Sequence, residues 1–270
     1  MSNISKLPGE RKCQRMVFKL AFGKNNCPRC SGKVTQMQAY FWCRECRIKI
    51  RPKAVTWFKG SKLPYRQIMA LIICWFKNVP PGSVEATLGI SYTTTARWYS
   101  RFRQHLPRDE SILSGIVEAD EAFFGRKKFH NQTIVMGAIE RNEDKSLRKI
   151  KLAIIPDREQ DSLELFLTKH VARSSLINTD AHAGYFGLEW NGYDHLIHNH
   201  AEGHFGGTAL SENIWSTSKR QQRRMYTRII TKRLPELLNE WEGRRNLPHL
   251  FKDPFTYLEA TLTPCSVLVD

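Results

Sequence analysis

Three acids in this chain stand where surface decoration is a poor explanation for them. Asp120 interrupts the apolar run Val117-Glu118-Ala119-Asp120-Glu121, Asp180 closes Ile177-Asn178-Thr179-Asp180, and Glu212 opens Glu212-Asn213-Ile214-Trp215-Ser216-Thr217-Ser218-Lys219. Between the first two lie 59 residues, and between the second and third 31. Carboxylates delivered by a strand, a second strand end and a later helix suit nucleotidyl transfer. Two divalent cations about 4 Å apart would activate an attacking oxygen and stabilise the leaving one. Magnesium and manganese favour hard oxygen ligands and keep several waters, so three carboxylates suffice to hold a pair. Asp120 fits the bridging position, because an unpaired charge within an apolar strand is costly. Period-two alternation puts Glu118 on the face of Asp120 and Glu121 on the opposite face, which makes Glu118 the nearest rival. Lys219 follows Glu212 by two helical turns on nearly the same face, within reach of a phosphate beside the metals.

The elements that must position these groups follow from the pattern. Segments 115–125, 133–139 and 150–155 read as strands, 161–170 as an amphipathic helix, and 174–179 as the strand that delivers Asp180. Residues 195–198 form a fifth strand, and helices follow over 210–228 and 234–244. Three strands, a helix, a strand and later helices predict an α/β layer with a mixed sheet, in the order of a ribonuclease H-like fold.

The rest of the chain is built for a polyanion. Its net charge is +16, and residues 1–60 alone carry eight Lys, six Arg and two Glu, a net of +12. Cys27-Pro28-Arg29-Cys30 and Cys43-Arg44-Glu45-Cys46, twelve residues apart, are two knuckles that can close one structural zinc site. Cys13, Cys74 and Cys265 lack partners at ligand spacing and read as buried thiols. Residues 65–76 have helical apolar spacing. Pro80-Pro81-Gly82 breaks them from a helix capped by Ser83, and Gly89 turns the chain into a second helix over 92–106, the helix-turn-helix pattern. On that second helix Tyr92, Thr93 and Thr94 are candidates for base edges, and Arg97 and Arg101 for phosphates. The run from Lys219 to Arg233 has seven basic residues in fifteen and no acid, so Arg220, Arg223 and Arg224 join the DNA-binding set. His195, His198, His200 and His204 form a cluster whose spacing closes no metal site by itself; His200 is the one expected to face DNA or the metals.

Domain bounds follow: a basic leader over 1–22, a zinc ribbon over 23–58, a helix-turn-helix over 59–108, the catalytic domain over 111–262 and a tail over 263–270. The longest apolar run, Ile68 to Phe76, is nine residues, too short for a membrane span, and no apolar region follows the basic N-terminus as in a secretory signal. An intracellular location is expected, with the nucleoid or the nucleus depending on the host.

These motifs resemble the zinc-ribbon DDE transposases of small insertion sequences, a group related to the Merlin elements. The block from Val117 to Gly125 is similar to the family's first-aspartate block, Thr179 to Tyr185 to its second, and Glu212 to Arg220 to its third. The resemblance implies Asp120, Asp180 and Glu212 as catalytic acids with Lys219 beside them, and His200 falls where the family tends to carry a histidine. Ala209 stands where the family often has asparagine, and its histidine before the third block has no obvious counterpart. The implied activity is binding of terminal inverted repeats, cleavage at the ends and joining of 3′ ends to target DNA. It would use two magnesium or manganese ions per site, one structural zinc, and a homodimer or larger synaptic assembly on double-stranded DNA. A zinc-ribbon regulator or a domesticated transposase without strand transfer would share the basic front half, and a nuclease of the same fold would keep the acids.

Overall fold

The computed structural model describes residues 7–126, 132–144, 146–198, 209–226 and 231–262. The chain divides into two compact units, Met1–His105 with His249–Asp270, and Leu106–Pro248.

In the first unit, helix α1 (Glu10–Phe22) ends at Gly23, whose φ of 68° supplies the left-handed cap. A three-stranded antiparallel sheet follows, β1 (Val34–Gln36), β2 (Phe41–Cys43) and β3 (Lys49–Ile50). Phe18 of α1 packs on Phe41 at 4.3 Å between ring centroids, so the leader is part of the ribbon's small core. Helices α2 (Tyr65–Phe76), α3 (Pro81–Leu88) and α4 (Tyr92–Gln104) form the expected helix-turn-helix, with Gly89 at φ 65° in the turn. The cap differs from expectation. Pro81, with φ already set for a helix and no N–H to lose, takes the first position of α3, and Ser83 lies inside the helix. Ser91 caps α4 by accepting from the Thr94 amide.

An aromatic cluster of Trp57, Phe58, Trp75, Trp98 and Phe102 fills this unit. Each such side chain contributes about 2–3 kcal/mol through burial. The segment after residue 248 joins it, although the sequence places it with the catalytic domain: the Tyr257 hydroxyl donates to Phe102 O at 2.7 Å, and the Trp57 indole donates to Thr261 O at 3.0 Å.

The second unit is a five-stranded mixed sheet in the order β6-β5-β4-β7-β8, made from β4 (Ile116–Phe124), β5 (Thr133–Arg141), β6 (Leu147–Ile155), β7 (Leu176–Asp180) and β8 (Asp194–His198). β5 is antiparallel to β4 and β6, whereas β7 runs parallel to β4 and β8 parallel to β7. In order of appearance this is 3-2-1-4-5 with the second strand reversed, the ribonuclease H-like arrangement. Alternation along β4 separates two faces. Val117 and Ala119 face a core with Leu163, Phe166 and Leu167 of α5 (Gln160–His170). Phe124 faces Trp215 of α6 (Ala209–Met225) and Trp241 of α7 (Leu234–Asn246). The Asn246 side chain donates to Ile150 O and accepts from Ile150 N, which covers the free edge of β6. Cys13 and Cys74 are buried as expected; Cys265 and residues 227 and 228 of the expected helix lie outside the described residues. Among the described residues no helix is long and apolar enough to cross a membrane.

Candidate active site

β4 and β7 are parallel with Glu118 opposite Asn178, so two more residues bring Asp120, in the middle of β4, beside Asp180, which ends β7. Burial, then the charge of Glu121 and that of Asp180, pushes the Asp120 carboxyl up to about 6. Its Oδ1 accepts from the Glu121 amide at 2.8 Å and its Oδ2 from the Trp215 indole N–H at 3.0 Å. Asp180 is about a third exposed and accepts from the His182 amide.

α6 lies against the face that carries Asp120. Trp215 covers Gly137, the residue paired with Asp120 on β5, so closely that a Cβ there would sit 2.6 Å from its ring. Gly137→Ala is therefore expected to push the indole off Asp120 and destabilise the unit by about 1–3 kcal/mol. Thermal unfolding of the metal-free protein checks this, and an unchanged melting temperature would contradict the packing. Glu212 sits exposed in the first turn of α6, one turn ahead of Trp215. Lys219 stands next to Asp120, with its ammonium 5.5 Å from the Phe124 ring centroid; burial lowers its pKa and the Asp120 charge opposes that.

The structure therefore brings Asp120, Asp180 and Lys219 into one neighbourhood, with Glu212 at its margin. The three carboxylates do not reach the mutual spacing of the cysteine site. Among the described residues, Cys27, Cys30, Cys43 and Cys46 alone form a set of three or more ligating groups whose donor atoms all lie within 4.8 Å of one another. Cys27 and Cys46 are 3.5 Å apart and Cys30 and Cys43 3.4 Å. A tetrahedral zinc with bonds of about 2.3 Å needs sulfurs about 3.8 Å apart, so the residues fit the ion. The two knuckles are built alike: Ser31 and Arg47, each following the second cysteine, have φ of 59° and 54°. Burial and the adjoining thiols push Cys46 up to about 12, so four thiolates would not gather here without a cation.

Sequence reasoning missed a second network. Glu121, on the opposite face of β4, accepts from Arg158 Nε at 2.9 Å and Nη2 at 2.7 Å and from the Tyr185 hydroxyl. Arg158 Nη2 lies 4.0 Å from Asp180 Oδ2, so this buried acid ties the loop after β6 and the turn after Asp180 to β4. Glu118, the rival of Asp120, is also committed elsewhere. It accepts from Arg141 and from the Leu210 and Ser211 amides.

On α4, Tyr92, Thr93 and Arg97 are exposed and Thr94 is half-buried, bonded to the Ser91 cap. Arg101 departs from expectation. Its guanidinium donates to Trp57 O and Lys59 O and stacks over Trp98, because the turn at Trp57 lies directly against this helix. Arg220, Arg223 and Arg224 are exposed on α6. His195 is buried against Thr179 at 2.8 Å and His198 bonds Asn178 at 2.8 Å; His200 and His204 lie outside the described residues.

Several solved structures share low similarity with this chain, two of them as follows. One is the simian T-cell lymphotropic virus intasome in complex with PP2A regulatory subunit B56 gamma, at 13% identity and a TM-score of 0.34, the match spanning 64% of each chain. The other is the HTLV-2 integrase catalytic core domain in complex with magnesium, at 12% identity and a TM-score of 0.32, over 50% of this chain and 86% of that one. No curated protein matches the sequence. The family model of the ISXO2-like transposase domain matches residues 112–246, which hold β4, β7 and α6 with Asp120, Asp180 and Glu212, and by that match the chain belongs to the ISXO2-like transposase family.

Proposed function

We propose that this protein cuts DNA at the ends of its own element and joins the freed 3′ ends to target DNA, with Asp120, Asp180 and Glu212 as the metal-binding acids. The observation that carries this reading is the side-by-side placement of Asp120 and Asp180 on parallel strands, with the helix of Glu212 and Lys219 hydrogen-bonded to Asp120. The donor set fits hard divalent cations. A buried carboxyl pushed up to about 6 beside a second acid has an unmet need for positive charge. Magnesium or manganese bound there would supply an activated oxygen nucleophile and charge for the leaving oxygen. Lys219 would hold a DNA phosphate next to Asp120, and Arg220, Arg223 and Arg224 would extend the contact along the backbone. In the first unit, zinc on the four cysteines would hold the ribbon. Tyr92, Thr93, Thr94 and Arg97 would read the inverted repeat from the exposed start of α4. Two ends must be cut and joined together, so the working species would be a dimer or larger.

The test is a strand-transfer assay with the DNA ends flanking the coding frame, magnesium or manganese, and the variants Asp120→Ala and Glu212→Gln. Joined products from the wild type that vanish in both variants, while end binding survives, are the expected result. End binding without cutting in either metal would overturn the catalytic reading.

A further inference from the structure

The geometry points to Glu118 as a positioning residue that seats the first turn of α6, and with it Glu212, on the strand that carries Asp120. Glu118 is 1% exposed in the middle of the sheet, between Ile139 of β5 and Asn178 of β7. A carboxylate there is costly unless its oxygens are used. Oε1 accepts from Arg141 Nη1 at 3.2 Å, and Oε2 accepts from Leu210 N at 2.9 Å and Ser211 N at 3.2 Å. Those amides belong to the first turn of α6, where helical N–H groups have no partner within the helix and the dipole favours a negative charge. A side chain from a different element thus accepts from two amides of the first turn.

Glu212 is the residue after Ser211. Along β4 the contacts to α6 advance in register, Glu118 to residues 210 and 211, Asp120 to Trp215, and Phe124 to Trp215 and Lys219. Strand and helix run in the same direction. Trp215 fixes the middle of the helix and Glu118 its start, so the spacing between Asp120 and Glu212 is set from a single strand. An error of about 1 Å in such a placement costs about 100-fold in rate.

This inference rests on the reading of Glu212 as the third acid, and its test has one readout that does not depend on that reading. Full-length wild type, Glu118→Ala and Glu118→Gln would be compared, metal-free, by hydrogen exchange in peptides covering residues 209–216. In parallel, cleavage of an element-end duplex would be followed as manganese is titrated, with binding of the same duplex measured separately. The expected result for Glu118→Ala is exchange about 10-fold or more faster at Leu210 and Ser211, with the other peptides unchanged. Cleavage would fall about 100-fold and the manganese midpoint rise about 10-fold, with DNA affinity within about twofold of wild type. Glu118→Gln, which keeps an acceptor oxygen, would recover part of each. Unchanged exchange at 209–216 overturns the proposal, as does exchange raised throughout the unit. Glu118→Gln with normal exchange and no activity also overturns it, by making Glu118 itself a ligand. If the wild type fails to cut DNA, the proposed function falls, and the exchange result still decides whether Glu118 seats α6.

Discussion

Replacing Asp120 by Asn is expected to reduce DNA cleavage by about 10³-fold or more and, in the metal-free protein at pH 7.5, to increase stability. Both effects arise from one property. Burial and the charges of Glu121 and Asp180 push the Asp120 carboxyl up to about 6, whereas in the unfolded chain it has an ordinary aspartate value. Below about pH 4 the group is protonated in both states and contributes nothing to the difference. Between about 4 and 6 the unfolded chain releases this proton first, so folding loses stability as pH rises, and above about 6 the cost is complete. A shift of two units corresponds to about 3 kcal/mol at most. Asn retains one acceptor oxygen and forfeits one of the two bonds from Glu121 N and the Trp215 indole, which leaves a net gain of about 1–2 kcal/mol. Denaturant unfolding of metal-free protein at pH 4 and pH 7.5 measures it: the variant should match or trail the wild type at the lower pH and exceed it at the higher. Added manganese should stabilise the wild type and leave the variant unmoved. A variant less stable at pH 7.5 would show that Asp120 is well accommodated without a cation, and would remove the electrostatic argument for the metal site.

How much of this was legible beforehand depends on the range of the interaction. The cysteine knuckles are contacts within four residues joined across one hairpin, so their spacing alone predicts the site that forms. Alternation along β4 is likewise local, and it correctly placed Glu118 and Asp120 on one face and Glu121 on the other. The roles of the two flanking acids were not legible. Glu118 meets amides 92 and 93 residues away, and Glu121 meets Arg158 and Tyr185 at separations of 37 and 64. No spacing rule reaches that far. Arg101 shows the same limit from the other side. Its helical position was read well, yet the carbonyls that claim it belong to a turn more than 40 residues earlier. The helix Pro254–Thr261 has no feature in its own sequence that assigns it to the first unit; it belongs there because Trp75 and Phe76 offer an aromatic surface to Tyr257, whose hydroxyl donates to Phe102 O, and Trp57 donates to Thr261 O. Acid density was the one unused signal. Three acids within the four residues from Glu118 to Glu121 exceed what a two-metal site requires from one strand, and the surplus turned out to hold neighbouring elements.

Substituting Cys43 by Ser should cost the protein its zinc and, through that, about 100-fold or more in affinity for the element ends, with the second unit still folded. The core of the ribbon is Phe18, Cys27, Phe41, Cys43 and Ile50, so two of its five buried members would themselves be zinc ligands. A sheet with strands of two and three residues has little else to bury. In small sites of this type the metal contributes about 10–16 kcal/mol of apparent binding free energy, far more than this core supplies. Loss of the ion would free Phe41 from Phe18 and loosen α1, while every Lys and Arg of the segment keeps its charge. The net +12 of residues 1–60 would remain, but spread over a flexible chain instead of presented on one surface. Residual binding should therefore be weak, nonspecific and steeply salt-dependent. Metal content by mass spectrometry, calorimetric unfolding and a gel-shift titration over a salt series test the three parts in turn. The second unit should keep its own unfolding transition, because its core around Val117, Ala119, Leu163 and Ile177 shares no residue with the ribbon. A variant with full zinc occupancy, or one that binds the ends as tightly as the wild type, would show that the four sulfurs are not what holds the DNA-binding half in shape.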